Sequence, residues 1–143
     1  MRALPLLLVL GCTPDAGPPT CDGGGATTLE LGDGGRNAFV PFSGGDTIPT
    51  RGEPAGLDLD LWTSGIDTSQ PVTAVVRASV DGGPTEDSLA SLTLTCADSG
   101  NGWTNVLATL GAGAAPGSTV SIESTVTDWT GVTASTSIEG VLP

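Results

Sequence analysis

Leu57-Asp58-Leu59-Asp60-Leu61-Trp62 alternates apolar and polar side chains without a break. A period of two belongs to a β-strand with one face in a core; a helix would repeat its apolar positions every three or four residues. The stretch therefore predicts a strand that sends three leucines one way and two aspartates with a tryptophan the other. Further along, Val72, Ala74, Val76, Ala78 and Val80 share one face of a longer strand, while Val75, Arg77 and Ser79 share the opposite face. Apolar character on both faces marks this strand as central, and Asp81-Gly82-Gly83-Pro84 ends it.

The same pattern extends in both directions. Short β-type runs over 27–31 and 38–42 precede the leucine strand, with Pro41 marking an edge or irregular strand. After the central strand, Leu92, Leu94 and Cys96 alternate with Thr93 and Thr95, which places Cys96 inward, and residues 103–110 form a further candidate strand. Residues 119–128 and 132–141 make the strongest hairpin. Its turn, Asp128-Trp129-Thr130-Gly131, has Asp first and Gly fourth, as suits a type I turn followed by a left-handed residue. Val120, Ile122 and Val126 are expected to face inward, against Val132, Ala134 and Ile138 or their neighbours. Short strands at this spacing, separated by Gly, Pro and Asp, predict an all-β, antiparallel sandwich over residues 27–143.

Composition narrows the chemistry. The 143 residues include four arginines, no lysine, no histidine and no tyrosine, against 16 acidic residues. Nucleic-acid binding needs cations to neutralise phosphates, so it is not expected. A Ser-His-Asp or Cys-His engine lacks its base, a Schiff base lacks its amine and a phosphate-binding P-loop lacks its lysine. What remains is carboxylate chemistry and hard cations.

The N-terminus has its own pattern. Arg2 precedes an apolar run over 3–10 that is too short to span a bilayer and gives way to Pro/Gly-rich sequence. Val9-Leu10-Gly11-Cys12 resembles the bacterial lipobox, which implies a signal peptide over 1–11 and acylation of Cys12, by palmitate among other chains. Several acyl chains on one cysteine anchor far more firmly than one. Thr13 after the cysteine favours, by that resemblance, the outer membrane of a Gram-negative bacterium. Cleavage would leave 132 residues with a net charge of −13. Residues 12–26 read as a tether without periodicity.

With Cys12 assigned to lipid, Cys21 and Cys96 are left as a pair in an oxidising compartment, and a disulfide between them is expected. Closing 75 residues in this way is worth about 4 kcal/mol in the chain-entropy view.

Thr125-Val126-Thr127-Asp128 with Gly131 resembles the last two strands of bacterial immunoglobulin-like domains, which implies an immunoglobulin-like sandwich of seven to eight strands. Leu29-Glu30-Leu31-Gly32, Phe39, Phe42, Gly45-Asp46 and Gly52 resemble a group of uncharacterised myxobacterial lipoproteins. Members of that group often carry a Gly-Pro-Gln-Gly-Gly stretch with a nearby histidine. This chain has Gly52-Glu53-Pro54-Ala55-Gly56 and no histidine, so no metal role carries over.

Several residues are candidates for chemistry. Asp58 and Asp60, two apart on one face, place neighbouring carboxylates where Ca²⁺ could bind; the same spacing also describes a solvated acidic face. Asp81, Glu86 and Asp87 form a second acidic group, in a loop. Paired carboxylates also serve glycosidases, but three Trp and two Phe are few for a sugar cleft. Asp98-Ser99-Gly100 matches the short aspartic-protease signature and equally describes a turn. Trp62 and Trp129 are candidate contact residues, since aromatic anchors concentrate binding energy.

The expectation is a lipid-anchored, non-enzymatic binding or scaffolding module without a cofactor, meeting a protein or glycan of the cell envelope. The alternative is a Ca²⁺-dependent carbohydrate-binding or adhesion domain.

Overall fold

The computed structural model describes residues 21–97, 101–111 and 113–143. The predicted leader over 1–11, Cys12 and the Asp98-Ser99-Gly100 tripeptide lie outside the described residues.

Among the described residues the chain is all-β: nine strands in two antiparallel sheets packed face to face. They are β1 (Thr28–Asp33), β2 (Thr50–Arg51), β3 (Gly56–Ser64), β4 (Val72–Val80), β5 (Thr85–Leu92), β6 (Thr95–Cys96), β7 (Gly102–Thr109), β8 (Thr119–Thr127) and β9 (Thr133–Val141). The first sheet runs β1-β3-β7-β6, with the short β2 pairing the start of β3; the second runs β5-β4-β8-β9. The chain crosses between sheets after β3, β5 and β7 and makes hairpins within the second sheet, the Greek-key habit of sandwiches.

The core lies where the two alternations meet. Leu57, Leu59 and Leu61 of β3 are fully buried, and Val72, Ala74, Val76 and Ala78 of β4 face them with Val120, Ile122 and Val126 of β8. As expected, β4 is central, paired with β5 on one side and β8 on the other. The closing turn is also as expected: Gly131 sits at φ +92° and its N–H donates to the Asp128 carbonyl at 3.0 Å.

Three local readings are corrected. Residues 38–42 form no strand; only Pro41 makes an isolated bridge, to Gly32, because the segment folds across the sheet. Glu86 and Asp87 are in β5 and not in a loop. Val132 is exposed in the turn, and Ala134 takes the buried position.

Cys21 and Cys96 stand at disulfide distance, with Cα atoms 5.5 Å apart. Cys21 is buried, its N–H donates to Thr68 Oγ1 at 3.1 Å, and its carbonyl accepts the Thr68 N–H at 2.7 Å. Asp22 bridges Asp67. The folded unit therefore takes in Cys21 and Asp22, upstream of the expected start at residue 27.

Candidate functional site

The structure separates the sequence candidates into three places. The first is the outer face of β3. Asp58 and Asp60 do share that face, yet they are 6% and 1% exposed. They meet protein donors there. Asn105 on neighbouring β7 directs its amide N–H groups to Asp58 Oδ1 at 2.8 Å and Asp60 Oδ1 at 3.1 Å. Arg51 Nε lies 3.2 Å from Asp58 Oδ2, and the same guanidinium donates to Asn105 Oδ1 at 2.9 Å.

Two glycines let the chain come down onto this face. A Cβ on Gly34 would fall 2.4 Å from Asp58 Oδ1, and one on Gly32 would fall 2.6 Å from the Phe39 ring. Only glycine fits such approaches. Phe39 stacks on Trp62 with ring centroids 5.0 Å apart. Trp62 is thus a packing residue, roofed by its own chain, and the cation beside the acidic pair is Arg51. Asp60 Oδ2 and the indole N–H of Trp103 are buried here without a partner among the described residues. Among the described residues no group of three or more His, Cys, Asp or Glu side chains is arranged to hold a metal ion.

The second place is the outer face of the second sheet, which carries Thr73, Val75, Arg77 and Ser79 on β4 and Ser121, Glu123, Thr125 and Thr127 on β8. Arg77 and Asp87 pair at 3.4 Å with both side chains more than half exposed. A groove of about 370 Å³ crosses this face between Arg77, Ser79, Ser121, Glu123, Ser137 and Glu139. It offers hydroxyls and charges of both signs. A larger recess of about 460 Å³ lies among Pro54, Leu110, Pro116 and Leu142, where β2, the end of β7 and the C-terminus meet, at the far pole from Cys21.

The third place is the pole where the chain enters. Asp128 Oδ2 accepts the Asp67 N–H at 3.0 Å, while its Oδ1 accepts the Thr130 hydroxyl at 2.7 Å and the N–H groups of Thr130 and Val132. Burial raises the Asp128 pKa, but the Thr130 hydroxyl and the N–H groups of Asp67, Val132 and Thr130 outweigh it, so the carboxyl is held below its ordinary value. Asp67 is lowered as well, first by the Ser69 hydroxyl and N–H and further by the Trp129 side chain, against partial desolvation and the nearby Asp128 charge. This ring of acceptors fixes the hairpin tip. At the tip Trp129 is 60% exposed and Val132 39%.

Sequence reasoning anticipated the cysteine pair and set Trp129 in the hairpin turn. It missed Asn105, Arg51, Asp67 and Thr68, whose roles depend on contacts 47 to 61 residues apart along the chain and leave no local sign. No protein-family model, no curated protein and no solved structure matches this chain.

Proposed function

We propose that this chain is a lipid-anchored module of the bacterial cell envelope, on the outer membrane, that acts by binding or scaffolding and carries out no catalysis. One observation carries the reading: the chain enters the sandwich at a single pole, through Cys21, which is buried and stands at disulfide distance from Cys96. A lipid on Cys12 would therefore hold the domain by that pole through the eight residues 13–20. Pulling on the anchor would load a cross-link between two elements and spare the fraying end of a strand. The outer face of the β5-β4-β8-β9 sheet, with its polar groove, is then turned sideways to the anchor and left free for a protein or glycan partner.

Metabolic labelling with a radioactive fatty acid, followed by fractionation, tests the anchor. The parent chain takes up label and stays with membranes, and Cys12→Ser does neither; an unlabelled parent, or a labelled Cys12→Ser chain, overturns the reading. A photo-reactive residue at Ser137 tests the groove. It should capture a discrete envelope component, and Glu123→Arg should abolish the capture.

A further inference from the structure

We infer that the Trp129 hairpin tip is a membrane-contact surface, seating its indole in the interface of a zwitterionic phospholipid bilayer on the side from which the chain is anchored. This rests on the lipid-anchored reading above and deepens it.

The tip and the anchored end are connected by named contacts. Cys21 is hydrogen-bonded to Thr68, Asp22 bridges Asp67, and Asp67 donates its N–H to Asp128, the residue that precedes Trp129 in the turn. Trp129 therefore belongs to the pole at which the chain from Cys12 arrives. Nine residue-to-residue steps lead from Cys12 to Cys21, and a fully extended chain spans at most about 3.6 Å per step, so the pole stays within ~32 Å of the anchored cysteine. The opposite pole, with Pro54 and Pro116, lies a strand length further away.

The chemistry of the tip suits a bilayer interface. Tryptophan combines a large apolar ring with one polar N–H and collects where one end of a side chain is dry and the other wet. Here the side chain stands at the hairpin tip with 60% of its surface exposed, so the ring is available to a surface that meets this pole. Val132 beside it extends the apolar tip. Because the turn is pinned by four hydrogen bonds to Asp128, little rotational freedom is lost when the ring is seated. Charge selects the lipid. Asp22, Asp67 and Asp128 crowd this pole of a chain with a net charge of −12, and anionic headgroups repel such a surface within a Debye length of about 8 Å.

The test uses the full acylated chain reconstituted into phosphatidylcholine vesicles, either ordinary or brominated on the acyl chains, with flotation and tryptophan emission read on the same samples. The parent should float with the vesicles, and brominated lipid should lower its emission by up to one third, the share of one tryptophan among three. Trp129→Ser, and the bulkier Trp129→Phe, should float equally well and show the same emission in both kinds of vesicle. A parent that floats yet is not quenched overturns the contact and leaves the anchor standing. Quenching that survives in both variants also overturns it. A parent that does not float overturns the contact and the anchor together. Replacing most of the phosphatidylcholine by phosphatidylglycerol should weaken the quenching at low salt, and stronger quenching there would overturn the zwitterionic assignment.

Discussion

The outer faces of the two sheets are built on the same alternation, and they meet water very differently. On β3, Asp58 and Asp60 occupy the positions between buried leucines, and both are themselves buried. On β8, Ser121 and Glu123 occupy the positions between Val120, Ile122 and Ser124, and both are exposed. A period of two therefore states which side chains oppose the core and says nothing about what lies over the other side. The difference comes from residues 32–42, which fold back over β3 through Gly32 and Gly34, while no described segment covers the middle of β8. Once covered, two carboxylates need donors, and Asn105 and Arg51 supply them.

The largest effect should follow from lifting that cover. Valine at position 34 places its Cβ 2.4 Å from Asp58 Oδ1 and 2.7 Å from the Asp58 backbone carbon, neither of which can yield without disturbing β3. Gly34→Val is expected to cost about 3 kcal/mol in urea unfolding, the upper end of overpacking penalties. Ser121→Val on the bare face should change stability by less than ~0.5 kcal/mol. Equal costs at the two positions would show that the faces are not differently covered.

Much of the fold was legible because its strands pair a buried row with a polar one. The leucines of β3, the small apolar row of β4 and the β8–β9 hairpin are local patterns, and the pairing of Cys21 with Cys96 followed from counting cysteines. β5 was not legible. Thr85–Leu92 reads TEDSLASL and buries no side chain fully; Leu89 is 74% exposed, so an edge strand at the rim of the core leaves no apolar row to detect. The burial of Asp58 and Asp60 was hidden for a different reason. It depends on Gly32, Gly34, Phe39, Arg51 and Asn105, which are scattered over more than seventy residues and become neighbours only in the folded sheet. The surface at the chain's entry was half legible: Trp129 stands out in a turn, but the bond that ties the neighbouring Asp128 to Asp67 does not.

Unlike the covered pair, Asp128 is a buried carboxylate at the end of the open sheet that is met wholly by hydroxyl and N–H donors. Its pKa is lowered on folding, so its stabilising contribution is complete above the unfolded value, 3.8, and is lost as pH falls through the lower folded value. Thermal melts between pH 7 and pH 2 should show the melting temperature falling below about pH 4. Asp128→Ala should lower stability at pH 7 by about 1–2 kcal/mol, through loss of the hairpin's hydrogen bonds, and should flatten that acid limb. An unchanged limb would assign the acid sensitivity to other carboxylates.

The arginines give a smaller, paired test. Arg51 reaches a carboxylate whose side chain is 8% exposed, whereas the partner of Arg77 is 56% exposed. Water screens the Arg77–Asp87 pair almost completely, so Arg77→Met should be worth less than ~0.5 kcal/mol. Arg51→Met strips the buried Asp58 of its paired cation. Because the guanidinium itself is 58% exposed, the loss should be about 1 kcal/mol and well short of the cost of breaking a fully buried pair. Equal effects of the two substitutions, measured by urea unfolding, would mean that water reaches Asp58 as freely as Asp87.

The smallest expected change is at Asp60, and its sign carries the argument. Oδ1 accepts from Asn105, but Oδ2 is buried with no partner among the described residues, beside a second carboxylate on the same strand face. A charge held this way costs desolvation without full return, and it repels Asp58. Asp60→Asn keeps an acceptor for Asn105 and removes both penalties, so stability at pH 7 should stay level or rise by up to ~1 kcal/mol. Asn at the exposed Glu123 should do nothing measurable, since water already solvates that carboxylate. A loss of more than 1 kcal/mol at position 60 would show that Oδ2 has a cationic or donor partner in solution, and the covered face would then be a binding site in place of a closed layer.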